Sequence, residues 1–195
     1  MARTKAFDEQ EVLNKAMALF WQKGFHATSI QDLVDHLGIN RASMYDTFGG
    51  KEQLFMQALQ LYLSQFSTDV GKLREVLRGK SVRKFLREYA LSDLEKKEVL
   101  DQNGCFATNA TAELSKENKQ VCSVLSDNME RNIKFFEVVI RLGQERREID
   151  RNKDPYVMAR HLFVFFNGLK VISKLKPKES LCSVVDAQLD FLFEH

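Results

Sequence analysis

Residues 24–54 read GFHATSIQDLVDHLGINRASMYDTFGGKEQL. Ile30, Leu33, Val34 and Leu37 fall at the i, i+3, i+4, i+7 spacing of one buried helical face. The spacing predicts a short helix opening at Thr28, with Gln31 in the capping-box position. Gly38 breaks it, because glycine takes the left-handed backbone of a helix end without a side-chain clash. Asn40 is placed to cap a second short helix that ends near Phe48, and Ile39 and Met44 are spaced to staple its first turn. Two short helices joined by Leu37-Gly38-Ile39-Asn40 make a helix-turn-helix.

In such a pair the first helix crosses the DNA backbone and the second puts its N-terminal face into the major groove. That face must be short-chained or hydrogen-bonding, and here it is Asn40, Arg41, Ala42 and Ser43. Arg41 can donate two bonds to guanine O6 and N7, and Ala42 allows close approach or a methyl contact. Tyr45 can reach a phosphate with its hydroxyl. Thr28 and Ser29 sit at a helix N-terminus, where free N–H groups and the helix dipole favour phosphate, and Lys51 at the start of the next helix can act likewise. A helix–glycine–helix corner alone is more often plain structure. Tyr45 also reads as core and Lys51 as a solvated surface charge.

Helical signals dominate on both sides of this stretch. Residues 1–6 read as a short basic arm. Asp8 is a good N-cap, with Glu11 as an acidic capping-box partner and Phe7 and Val12 as a staple. Val12, Ala16, Leu19 and Phe20 give one buried face before Gly24 ends the helix. After Gly49-Gly50 a longer helix carries Leu54, Phe55, Ala58, Leu59, Tyr62 and Phe66. A bend near 71–81 precedes a helix over 82–98 and a small-residue helix from Gly104 to Leu114. A long helix follows, with Val121, Val124, Leu125, Met129, Ile133, Phe136 and Ile140 on its buried stripe. Asp154-Pro155 starts a helix that runs to about Lys174. Pro177 separates it from a last helix with Leu181, Val184, Val185, Leu189 and Leu192.

Composition narrows the function classes. The chain has 195 residues, enough to bury a core without staples. Fifteen Phe need a large interior, an interface or a pocket to sit in. The formal net charge of +2 neither demands nor excludes a nucleic-acid partner. Residues 1–51 set Arg3, Lys5, Lys15, Lys23, Arg41 and Lys51 against Asp8, Glu9, Glu11, Asp32, Asp35 and Asp46, so placement rather than bulk charge carries the DNA argument. Cys105, Cys122 and Cys182 are an odd number without paired spacing, which argues against a disulfide framework and a zinc site. His26, His36, His161 and His195 show no metal spacing. No cofactor is called for. The first residues lack an apolar signal region, and apolar runs such as Leu162–Phe166 are too short to span a bilayer, so a cytoplasmic protein is expected.

Residues 12–55 resemble the DNA-binding domain of the tetracycline-repressor (TetR) family. The likeness rests on the G-[FY]-x-x-T-[ST] opening at Gly24–Ser29, the Leu-Gly-Ile turn, and the Leu/Met-Tyr-x-x-Phe-x-x-Lys-x-x-Leu ending at Met44–Leu54. The pattern departs from the family at Thr47, commonly an aromatic or His, where threonine can still bond a phosphate with shorter reach. It departs again at Gly49-Gly50, where the usual serine cap is missing. The resemblance implies an all-α fold: a three-helix DNA-binding domain over residues 1–50, then a helical effector-binding and dimerisation domain over 51–195. It also implies a pocket in that body, for which Phe106, Asn109, Phe136, Phe163, Phe166 and Asn167 are candidate lining residues suited to a small, mainly apolar effector. Each Phe, taken alone, is more often plain core.

The helix from Asp154 to Lys174 is apolar on nearly all sides. A soluble helix cannot bury such a surface against one neighbour, so it should face both its own core and a second subunit, with the last helix as partner. A homodimer would read an inverted-repeat operator in double-stranded DNA. No phosphate loop, metal motif or nucleophile motif points to an enzyme. The rival reading is a helical protein–protein interaction module whose helix-turn-helix no longer binds DNA.

Overall fold

The structure, a computed structural model, describes residues 7–65, 70–99, 103–175 and 178–194, with every regular element among them helical. Helix α1 spans Glu9–Lys23, α2 Ile30–Leu37, α3 Arg41–Phe48 and α4 Lys51–Gln65. A 3-10 turn at Val70–Lys72 leads into α5, Leu73–Val76. Then come α6 (Val82–Val99), α7 (Phe106–Leu114), α8 (Lys119–Glu145), α9 (Pro155–Ile172) and α10 (Lys178–Phe193). The expected arm over 1–6 and the expected places of Phe66, Pro177 and His195 lie outside the described residues.

Local chemistry sets the helix ends. Asp8 accepts the N–H groups of Gln10 and Glu11 at 2.8 and 3.2 Å. Glu11 pairs with Lys15 at 2.6 Å, one turn on, rather than reaching back to the cap. At α2 the cap falls one residue later than expected: Ser29 and Asp32, not Thr28 and Gln31, form the capping box. Thr28 is fully buried and its hydroxyl donates to the Gly24 carbonyl at 2.6 Å, so it serves the turn and leaves the cap to its neighbour. Asn40 caps α3 as its position suggests, accepting Ser43 N–H at 2.8 Å. Asp154 accepts the N–H groups of Tyr156 and Val157, with Pro155 opening α9. An Asp154→Ala variant is therefore expected to lose about 1 kcal/mol. That corresponds to roughly 2–4 °C in Tm for a chain of this size, read by thermal melting.

The chain packs as two compact units. The first holds α1 to α4 with α7 and α8 as far as Leu125; the second holds the 3-10 turn, α5, α6, the remainder of α8, α9 and α10. In the first, Phe55 of α4 meets Phe20, Phe25 and Phe106 edge-on at 5.1, 5.1 and 5.4 Å, and Tyr62 meets Trp21 and Phe106. Edge-to-face rings add to the burial of large apolar areas, so this lattice joins α1, α4 and α7. Leu33, Leu37, Ile39, Met44 and Phe48 bring α2 and α3 onto the same core. In the second unit Tyr89 of α6 lies edge-on to Phe136 and Phe166, which stack on each other at 5.1 Å. Arg87 and Arg83 of α6 bond to Asp186 and Asp190 of α10, both at 2.6 Å. Met129 is exposed, contrary to its place on the expected stripe: it lies in 126–132, where no residue of α8 is buried.

Candidate nucleic-acid interface

Three glycines shape the approach to α2 and α3. Gly38 ends α2 in the left-handed conformation, φ 67°, and turns the chain into the α3 cap. With Met44 and Phe48 of α3 buried, Arg41, Ala42 and Tyr45 are left exposed on its other side, beside the exposed cap Asn40. The Arg41 guanidinium lies 5.7 Å from the Tyr45 ring centroid. Gly49 and Gly50 both have positive φ, 85° and 113°, and a Cβ on Gly50 would come within 3.1 Å of the Tyr45 ring. The double glycine thus makes room for Tyr45 as well as ending α3, a role its sequence context did not suggest.

The expected site residues do not all sit alike. Asn40, Arg41, Ala42 and Tyr45 share the exposed side, while Ser43 and Thr47 are half-buried. The Asn40 oxygen serves the cap, which leaves its amide NH2 as the donor for other groups. Thr28 is buried and its hydroxyl is engaged. The Ser29 hydroxyl is engaged too, donating to Asp32 Oδ2 at 2.7 Å and accepting Asp32 N–H at 3.0 Å. The Lys23 ammonium, bonded to Asp32 at 2.7 Å, and then the Ser29 bonds hold the Asp32 carboxyl well below the usual carboxylate range. With both hydroxyls engaged, the donors that remain at the N-terminus of α2 are backbone N–H groups.

Lys51, at the first position of α4, sets its ammonium 4.3 Å from the Phe25 ring centroid. Partial burial lowers its pKa from the ordinary lysine value, while the charges of Glu113, Asp32 and Glu52 pull it back up. A cation held over a ring keeps its direction with less loss of side-chain entropy than a free lysine, which suits it to a phosphate. Phe25 as that platform was not singled out in the sequence, although the aromatic second position of the Gly24–Ser29 motif is the signal that marks it.

Two family models cover this architecture. The one for "Bacterial regulatory proteins, tetR family" matches residues 12–58, and the one for "Tetracyclin repressor-like, C-terminal domain" matches residues 82–187. The chain belongs to the TetR family. Among solved structures, this TetR-family chain is similar to the regulator CifR, a cysteine mutant of which is described as complexed with 26-bp double-strand operator DNA. The two are 30% identical with a TM-score of 0.81, covering 96% of this chain and 98% of that one. It is also similar to the transcriptional repressor ComR of Escherichia coli K12, 29% identical over 88% of this chain and 82% of ComR. The transcriptional repressor DhaR of Mycobacterium sp. strain GP1 is 28% identical over 95% of this chain and 92% of DhaR. Membership makes the chain a DNA-binding transcriptional regulator and not an enzyme.

The six expected effector residues divide between the two units of this TetR-family chain. Phe106 and Asn109 lie in α7; Phe106 is fully buried between Phe55 and Tyr62 as core of the first unit. Phe136, Phe163, Phe166 and Asn167 lie in the second unit, where Phe136 and Phe166 are buried and Phe163 is half-buried. Asn167 donates its amide to the Phe163 carbonyl at 2.8 Å, within its own helix. Cys105 is half-buried and its sulfur accepts the Tyr62 hydroxyl at 3.5 Å. No described helix is long and apolar enough to cross a membrane.

Proposed function

We infer that the chain is a ligand-responsive repressor that binds an inverted-repeat operator as a homodimer and acts in the cytoplasm. The observation that carries the reading is the exposed side of α3, on which Asn40, Arg41, Ala42 and Tyr45 stand clear of the core. Residues 1–50, with Lys51 just past their end, read the duplex, with Arg41, Asn40 and Ser43 toward base edges and Tyr45, Thr47 and Lys51 on or near the backbone, while the remainder of 51–195 serves effector and partner. Dimerisation runs through α9 and α10, which keep Val157, Val164, Val171, Val184 and Phe191 exposed. The effector is small and mainly apolar, and Phe136, Phe163, Phe166 and Asn167 in the second unit are its candidate contacts. Its binding shifts the dimer between two arrangements of the reading heads, only one of which matches the operator, so differential effector affinity becomes differential DNA affinity.

Selection of the purified protein against random duplexes at moderate salt tests this directly. Enrichment of an inverted repeat is expected; no enrichment, with salt-insensitive binding, sinks the DNA reading and favours the interaction module. With the repeat in hand, Lys51→Ala is expected to weaken operator and random duplex alike. It should also reduce the slope of log K against log salt by about one. An unchanged slope would mean that Lys51 meets no phosphate.

A further inference from the structure

The turn between α1 and α2 is shaped around a carboxylate that comes from far along the chain. Glu113, near the end of α7, accepts the N–H of Phe25 on Oε2 at 3.0 Å and the N–H of His26 on Oε1 at 2.6 Å. Successive backbone N–H groups converging on one anion form a nest, and here a side chain of the same unit fills it. Gly24, just before them, has φ 83°, and a Cβ there would stand 2.9 Å from Glu113 Oε2. Three consecutive residues are thus fitted to one carboxylate. Beside it, Glu117 Oε2 lies 3.0 Å from His26 Nε2.

What that turn holds is the phosphate-facing part of the reading unit. The Phe25 carbonyl accepts Thr28 N–H at 3.2 Å, and the Gly24 carbonyl accepts the Thr28 hydroxyl, which together deliver the chain to the Ser29 cap of α2. The Phe25 ring is the platform under Lys51. We propose that Glu113 is a positioning residue for DNA binding: from α7 it fixes the turn that sets both the N-terminus of α2 and the Lys51 ammonium toward the duplex. The role rests on the DNA reading proposed above.

The proposal makes a prediction opposite in sign to simple electrostatics. A carboxylate in a DNA-reading unit repels phosphate, so deleting its charge should tighten binding if charge were its whole effect. Positioning requires the reverse. Glu113→Gln keeps the side chain's size but leaves one acceptor oxygen for two N–H groups. Glu113→Asp keeps the charge but withdraws it by one methylene. Each is expected to bind the selected inverted repeat about five- to tenfold more weakly, the scale of one ordinary hydrogen bond lost. Both should also speed exchange of the Phe25 and His26 amide protons, while Glu113→Gln stays fully folded at the assay temperature. Operator affinity at or above the wild-type value for Glu113→Gln, or wild-type affinity for Glu113→Asp, overturns the role while leaving the DNA reading intact. Failure of the unmodified chain to take any duplex overturns both.

Discussion

Replacing Arg41 by alanine is expected to leave the chain folded and to cost operator binding about 1–3 kcal/mol, while binding to random duplex barely changes. Arg41 is exposed at the first position of α3, so its removal opens no cavity in the core. What is lost is a planar fork of donors, the group that matches guanine O6 and N7 and cannot be replaced by a methyl. The loss should be confined to one base pair in each half-site. Repeating the duplex selection with the variant should flatten the preference there and leave the rest of the motif intact. Titration of single-base operator variants should show the wild-type protein discriminating at that pair and the variant indifferent. The contrast with Lys51→Ala, which lowers all duplexes together, separates a base reader from a phosphate contact. A variant that keeps every base preference would remove Arg41 from the reading role and pass it to Asn40 and Ser43.

Much of this arrangement was legible because it rests on local chemistry. Asp8, Asn40 and Asp154 cap the helices they were expected to cap, since a short acceptor at a helix start has few other uses. Where two good caps stand side by side, at Thr28 and Ser29, the sequence is ambiguous, and burial of Thr28 against the turn decides for Ser29. Met129 shows a second limit. An apolar residue at helical spacing is buried only if something packs over it, and nothing in the period says that 126–132 is such a gap. The six effector candidates show a third, because side-chain character alone did not separate Phe106, a core ring of the first unit, from the rings of the second. Glu113 lies furthest beyond reach. It meets residues 87 and 88 positions earlier in the chain, and no local pattern pairs a carboxylate with a distant backbone turn.

The largest expected effect belongs to the outward faces of α9 and α10. On α9, Val157, Val164 and Val171 are exposed at seven-residue intervals, Val164 at 66%, although Met158, Leu162, Phe166 and Leu169 of the same helix are buried. On α10, Val184 and Phe191 repeat the interval, and Phe191 is 71% exposed. Two helices of one unit that each keep an apolar stripe out of the core present a surface suited to an isologous four-helix contact. Val164→Asp and Phe191→Asp place a charge in the middle of that contact. Because both positions are exposed in the single chain, the charge costs the fold of one subunit little, and the penalty falls on association. Each variant is expected to sediment as a monomer with its helical circular dichroism retained. A lone subunit can engage only one half-site, so operator affinity should fall roughly 100- to 10,000-fold, the gain that the second head otherwise contributes through high local concentration. Val76→Asp, which charges another exposed valine, on α5, is the control and should remain dimeric with full operator binding. If Val164→Asp and Phe191→Asp also remain dimeric, the contact lies elsewhere on the subunit and the stripes need another partner. If they become monomers yet bind the operator undiminished, reading does not depend on two heads, and the inverted repeat loses its physical basis.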